Sequence, residues 1–167
     1  MSPDEVTPWV LVYLRNHEAA ARGGSALFGR AARSRRDSTQ AAVLRRLHQD
    51  VRADLEWLRQ LMGAWDARPN PVLAAAAQLG ERVGRLKPNG RLLRRSPLTD
   101  LMETEALIDA VWAKRSGWQA LRSAGVPTPP EMPTLTELVR RADSQLEQLA
   151  DVHRDTAVRV FSASGGR

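Results

Sequence analysis

Residues 81–105, ERVGRLKPNGRLLRRSPLTDLMETE, decide how this chain is wired. Six basic side chains (Arg82, Arg85, Lys87, Arg91, Arg94 and Arg95) lie between Glu81 and Asp100 with no acidic residue among them. Pro88-Asn89-Gly90 is a turn signal, since proline fixes φ and Asn and Gly accept the left-handed backbone that ends a helix. Ser96-Pro97 reads as an N-cap and a first helical residue: the hydroxyl accepts an orphan N–H, and proline has none to lose. One helix therefore stops near Leu86, a basic connector turns, and another helix starts at about Pro97.

Working outward, the flanking segments are helical by period. On the N-terminal side, Thr7-Pro8 is a cap signal, with Ser2-Pro3-Asp4-Glu5 as an earlier competitor. Val10, Leu14, His17, Ala21, Gly24 and Phe28 then recur at steps of three and four, one face of an amphipathic helix to about Ala32. Arg33–Ser38 is polar and suited to a loop and an N-cap. Leu44, His48, Val51, Leu55, Leu58, Met62 and Trp65 form the seam of a second helix, with bundle spacing. Asn70-Pro71 restarts the chain as a shorter helix through about Leu86, whose Val72–Ala77 run is small and apolar. Beyond the connector, Leu98, Leu101, Glu105, Ile108 and Trp112 mark a third long helix ending near Gly125. Residues 126–133 hold four prolines and read as a stiff loop. Thr134-Leu135-Thr136-Glu137 is a capping box opening a fourth, with seam Leu135, Val139, Ala142, Leu146, Leu149, His153 and Val160. The residues after Phe161 are expected to be disordered.

The 167 residues suffice for one domain with a substantial core, taken as residues 1–161. Without cysteine, disulfides, thiol nucleophiles and zinc ribbons are excluded. The start, MSPDEVTPWVLVYL, has no basic region before its short apolar run, so neither a signal peptide nor a membrane span is expected and a cytoplasmic protein is. Formal net charge is +6 and nearly all the cations are arginine, a bias that a GC-rich bacterial genome also produces.

Short loops make the first and second helices antiparallel, and likewise the third and fourth. A crossover helix of roughly 16 residues rises about 24 Å, enough with the connector to return the chain to the end where the second helix began. The second and third helices then run parallel. An up-and-down bundle with the short helix across one end is the alternative.

The layout resembles the ferritin-like superfamily, and the run Arg85-Leu86-Lys87-Pro88-Asn89-Gly90-Arg91-Leu92 followed by Arg95-Ser96-Pro97-Leu98 is similar to uncharacterised helical proteins of GC-rich bacteria. That resemblance implies an all-α, four-helix bundle with a crossover helix. Members binding two irons carry a Glu on the first and third helices and Glu-x-x-His on the second and fourth. Glu18 and Glu105 match the lone-Glu positions. The two Glu-x-x-His motifs are absent: the second helix offers His48 and Asp54, the fourth Glu147 and His153, at another spacing. Di-iron chemistry is therefore not expected.

All three histidines fall on inward seams. Counted from the helix starts, His48, Glu105 and His153 come to similar levels, and they read as a site for one iron or manganese ion, as a buried polar network, or as positions unrelated to one another. His17-Glu18 opposite Asp54 reads as a second polar layer, or as a pair of which one faces water. Gly23-Gly24, inside a helix where each glycine costs about 1 kcal/mol relative to alanine, marks either close packing against a bulky Trp or Phe, or a pocket. Trp57, Trp65, Trp112 and Trp118 are expected as core or interface anchors. A phosphate-binding Gly-rich loop, a His-Glu-x-x-His motif and a nucleophile elbow are all missing.

Arginine placement gives the strongest functional lead. The crossover topology collects Arg30, Arg33, Arg35, Arg36, Arg91, Arg94, Arg95 and Arg159 at one pole, together with Ser96 and two helix N-termini. Such a pole suits an anionic ligand, an acidic protein surface or nucleic acid, although no aromatic residues interleave to stack bases. The sequence thus points to a non-catalytic binding bundle with an anion site at Arg33, Arg35, Arg36, Arg91, Arg94, Arg95 and Ser96. The alternatives are a metal-binding protein using His48, Glu105 and His153, or an oligomeric scaffold.

Overall fold

A computed structural model of the chain describes residues 7–65, 67 and 97–162, and these form four long helices: α1 (Pro8–Ser34), α2 (Ser38–Ala64), α3 (Pro97–Ser123) and α4 (Leu135–Ser162). At 27 or 28 residues each they are about 40 Å long. No strand occurs among the described residues. The expected crossover helix, the basic connector with Arg91, Arg94, Arg95 and Ser96, the Ser2–Glu5 box and residues 163–167 lie outside the described residues.

The helix ends follow the local chemistry of the sequence. Pro8 opens α1. Asp37 caps α2, its carboxylate accepting from the Gln40 N–H at 3.0 Å. That bond to the ionised form holds the Asp37 carboxyl below its ordinary value. At the end of α3, Gly125 adopts φ +63°, the Val126 N–H donates to Leu121 O and the Gly125 N–H to Arg122 O, both at 3.0 Å. This is a Schellman motif, and Val126 tucks into the core beside Leu121. The expected capping box opens α4: the Thr134 N–H donates to Glu137 Oε2 at 2.7 Å and the Glu137 N–H to Thr134 Oγ1 at 3.3 Å.

Cross-helix contacts set the directions. Arg59 meets Glu18 and His48 meets Gly29, so α1 and α2 are antiparallel. Glu105 meets His153 and Arg115 meets Asp143, so α3 and α4 are as well. Gly24 faces Ala110 and Arg30 pairs with Glu103, making α1 antiparallel to α3. Trp57 donates to Pro133 O and Arg159 pairs with Asp37, making α2 antiparallel to α4. Hence α2 and α3 run parallel on one diagonal and α1 and α4 on the other. The chain leaves α2 at one pole and enters α3 at the opposite pole.

The core divides in two along its length. One cluster, toward the start of α1, includes Leu14, Trp57, Leu58, Leu61, Met62, Trp118, Leu121 and Leu138. The other, toward the start of α2, includes Phe28, Ala31, Leu44, Leu47, Val51, Leu107, Val111 and Leu149. Between them along the helices lie residues 17–24 of α1, Asp54 of α2 and Lys114 of α3.

One seam differs from the expected line. On α3, Leu98, Glu105 and Trp112 are exposed, and the buried face instead runs through Leu101, Thr104, Leu107, Val111, Trp118 and Leu121. Polar residues interrupt the true face, and each is satisfied inside: Thr104 accepts from Arg35 and Lys114 donates to Asp54. Trp112, 50 % exposed, lies under the Arg115 guanidinium at 5.2 Å, a cation–π contact rather than a core anchor.

Candidate functional site

Where the two core clusters part, the helices leave a cavity of about 350 Å³. Small residues open it. Ala20, Ala21, Gly23 and Gly24 line it from α1, and Ala110 and Ala113 from α3, with Val51, Leu55 and Leu58 of α2 behind. Phe28 and Trp118 add aromatic walls, and Ala20 and Ala113 are exposed at its rim.

The two glycines are not there for close packing. A Cβ on Gly23 would have nothing within 4 Å, and one on Gly24 would meet only the Ala110 Cβ at 3.7 Å, an ordinary contact. Neither adopts a positive φ. Alanine would therefore fit at both positions and favour the helix by about 1 kcal/mol at each. Of the two readings of Gly23-Gly24, the surroundings match the pocket and not a bulky Trp or Phe.

A polar group closes the inner wall. Lys114 Nζ donates to Asp54 Oδ2 and to Gln145 Oε1, both at 2.5 Å. Arg141 donates to the other Asp54 oxygen at 2.8 Å. Asp54 is 2 % and Gln145 1 % exposed, so α2, α3 and α4 meet at one buried carboxylate. Burial pushes the Lys114 ammonium below its ordinary value, against the pull of Asp54. Among the cavity-lining residues, Trp118 has a buried indole N–H with no partner among the described residues.

His17 stands at the edge of the cavity. Its ring lies against Tyr13, with centroids 4.3 Å apart, and against the bare backbone of Gly117. Burial lowers its pKa from the ordinary 6.5, which favours the neutral imidazole. Neighbouring Glu18 is 1 % exposed and accepts from Arg59 Nε and Nη2 at 3.1 and 3.0 Å. Of the residues expected as a polar interior, Glu18 and Asp54 are buried, each held by its own cations, and His17 stands at the cavity edge.

The proposed metal set does not assemble as a trio. His153 Nε2 lies 3.2 Å from Glu105 Oε1, and both side chains are partly exposed. His48 instead packs on Gly29 of α1, beside Arg33, where burial and the charges of Arg52 and Arg33 lower its pKa. Among the described residues no group of three or more His, Asp or Glu side chains is placed to hold a metal ion.

At the basic pole, Arg35 turns inward. Its side chain is 0 % exposed and donates to Thr104 Oγ1 at 2.9 Å and to Asp100 O at 3.1 Å. Arg30 and Arg159 are engaged with Glu103 and Asp37. Arg33 and Arg36 are exposed. Sequence reading missed Lys114, Gln145 and the Trp118 N–H. A signal existed for the first: Lys114 is one of two lysines in an arginine-biased chain, and it sits between Val111 and Trp118 on the buried face of α3.

No helix among the described residues is long and apolar enough to cross a membrane. Comparison with protein-family models, with curated proteins and with solved structures finds no match to this chain.

Proposed function

We propose that the chain is a ferritin-like helical bundle that binds a small apolar molecule in the cavity between α1 and α3, without turning it over. The order of helix directions, with α2 parallel to α3, supports the ferritin-like arrangement. The observation that carries the binding reading is Gly23-Gly24: two helix-weakening residues that packing does not require, both on the wall of a mainly apolar cavity. A cavity of about 350 Å³ falls in the range that takes small ligands, roughly 300–1,000 Å³. The carboxylates nearby are held by cations, which suits a binding wall better than a general base. Titration of the full chain with the neutral fluorophore Nile red tests this reading. One-to-one binding, weakened by about tenfold or more in a cavity-filling Gly24→Leu variant that stays helical, is the expected result. Equal binding by both proteins, or none by the unmodified chain, overturns it.

A second reading rests on Arg33 and Arg36, exposed at the junction of the α1 C-terminus with the α2 N-terminus. An anionic partner would dock there, and its affinity would fall with salt.

A further inference from the structure

Charge is not spread evenly over the bundle. Residues 8–64 carry ten arginines against five acidic side chains, whereas residues 97–162 carry seven basic against ten acidic ones. A coding bias toward arginine raises both halves alike, so the difference is one of placement. On α2, Arg45, Arg52 and Arg59 follow one another at a step of seven and all are exposed. Such a step returns a helical residue to within about 20° of the same face. The contacts between α1 and α2 put this row beside the groove that the two helices share. Arg59 lies 3.0 Å and Arg22 4.0 Å from the same Glu18 oxygen, and Ser25, Gln49, Arg52 and Arg59 line a shallow pocket next to them. Further along, Arg33 Nη1 and the His48 ring both lie over Gly29, and the charges of Arg52 and Arg33 both act on that imidazole. Of the acids along this row, Glu18 is buried and shared by two arginines, and Glu56 stands exposed at the pocket.

We infer that the α1–α2 face, through Arg22, Arg33, Arg45, Arg52 and Arg59, is a docking surface for the phosphate backbone of a nucleic-acid duplex. The row from Arg45 to Arg59 runs about 20 Å along α2, more than half of a duplex turn of about 34 Å. Over that length a strand presents a phosphate about every 3.4 Å. A guanidinium fork matches a phosphate and holds it whatever the base attached. Two other classes of polyanion fit this face less well. A single strand is held by stacking its bases on aromatic side chains, and an acidic protein by an apolar centre inside a polar rim. This face offers neither: among the described residues the exposed large apolar side chains are Trp9 and Val12 near the start of α1, and five more on α3 and α4. The face stands apart from the cavity between α1 and α3 and shares only Arg33 with the exposed pole, so it depends on neither reading above.

The test titrates the full chain, across a salt series, with a labelled DNA duplex of mixed sequence long enough for about two turns, roughly 20 base pairs. An RNA duplex and a single strand of the same length run beside it. Binding is expected to weaken with salt. Arg45→Gln/Arg52→Gln, which spares the partners of Glu18, should make the slope of log K against log salt shallower by about 2. Arg140→Gln/Arg154→Gln, at exposed positions of α4, removes the same charge from the opposite side and should leave the slope in place. A readout on the unmodified protein guards against misfolded variants: bound phosphates offset the charges of Arg33 and Arg52, so the His48 imidazole should titrate at higher pH with the duplex present. The tighter of the two duplexes names the source of the phosphates. An unmoved His48, equal slopes in the parent and Arg45→Gln/Arg52→Gln, equal losses in the two variant pairs, or a single strand or polyglutamate that binds as well as either duplex overturns the inference. A slope lowered only by Arg33→Ala/Arg36→Ala overturns it and leaves the pole reading standing. Absence of binding at low salt overturns both.

Discussion

Lys114 Nζ lies 2.5 Å from Asp54 Oδ2 and so ties α3 to α2, helices that face each other only across the diagonal of the bundle. The pair sits at the break between the two core clusters, with side chains 12 % and 2 % exposed. An ion pair this deep is retained because separating its members is worse than keeping them. Asp54→Ala leaves the ammonium of Lys114 buried beside Gln145 and is expected to cost about 3–5 kcal/mol. The double variant Asp54→Leu/Lys114→Met removes both charges together and should be less destabilised than Asp54→Ala. Urea unfolding of the two proteins makes the comparison, and a double variant weaker than the single one would show that the pair itself holds the diagonal.

Glycines on the facing helices predict opposite responses to the same substitution. Gly23→Ala adds a methyl to open space, so stability should rise by up to about 1 kcal/mol. Gly117→Ala places its methyl 2.9 Å from His17 Cε1. Either the imidazole shifts toward the cavity or the helices part, and overpacking of this kind costs about 1–3 kcal/mol. The helix-propensity gain at 117 should be cancelled or reversed. Chemical denaturation of both variants decides it: two stabilised proteins would mean that His17 moves freely.

The legibility of this fold follows from where its signals are local. Caps, turns and seams are short-range properties, so the ends of α3 and α4 were readable from Gly125 and from Thr134–Glu137, and the face of α2 from Leu44 through Met62. Helix directions were readable because short loops force antiparallel neighbours. The α3 face was not, because Thr104 and Lys114 break its apolar period and are buried only by virtue of Arg35 and Asp54, partners 69 and 60 residues away. The same non-local pairing hid the candidate site. Gly23-Gly24 was visible as an anomaly, but whether it faces a tryptophan or a void depends on Ala110, which no sequence period identifies. Histidine spacing suggested convergence, and a rotation of about one residue on α3 left Glu105 outside with His153.

Acid should loosen the bundle before its carboxylates titrate. Burial lowers the pKa of His17 and, with the charges of Arg52 and Arg33, that of His48 from the ordinary 6.5. The unfolded chain therefore binds more protons than the folded one just below that pH. The stability concerned is fully present above about pH 6.5 and is lost as pH falls through the lower folded values. Unfolding midpoints measured at pH 7.5 and at pH 5.5 should differ, and His17→Gln/His48→Gln should flatten the difference. Asp37 and Glu137, both held below their ordinary values, contribute only at more acidic pH. A double variant as acid-sensitive as the parent would move the effect elsewhere.

The capping box offers a test of local chemistry separate from the core. Thr134 Oγ1 accepts from the Glu137 N–H at 3.3 Å, and the Glu137 carboxylate returns two bonds to residue 134. Thr134→Ala removes the accepting oxygen and one of those returned bonds, and should cost about 0.5–2 kcal/mol. Thr134→Ser keeps the box and should lose little. Thermal unfolding followed by circular dichroism separates the two, and matching losses would assign the effect to the methyl group of threonine.

Adjacent arginines at the basic pole should prove unequal. Arg35 is enclosed, with its guanidinium on Thr104 Oγ1 and Asp100 O and with the Asp100 carboxylate at 3.6 Å. It pins the end of α1 to the start of α3. Arg35→Ala should cost about 2–4 kcal/mol, somewhat under the ~3–5 of a fully buried pair because Asp100 is partly exposed. Arg36 and Arg33 are exposed, and alanine at either should change stability by no more than about 0.5 kcal/mol. If the pole also holds an anionic partner, these two exposed residues are the ones whose loss weakens it. Each phosphate contact removed from a polyanion then lowers the salt slope of binding by roughly 1. Heparin or DNA titrated across a salt series measures that slope, and Arg33→Ala/Arg36→Ala should reduce it while leaving the unfolding midpoint in place. An unchanged slope in that variant would reduce the described part of the pole to solvated charge, and Arg35 to a purely structural residue.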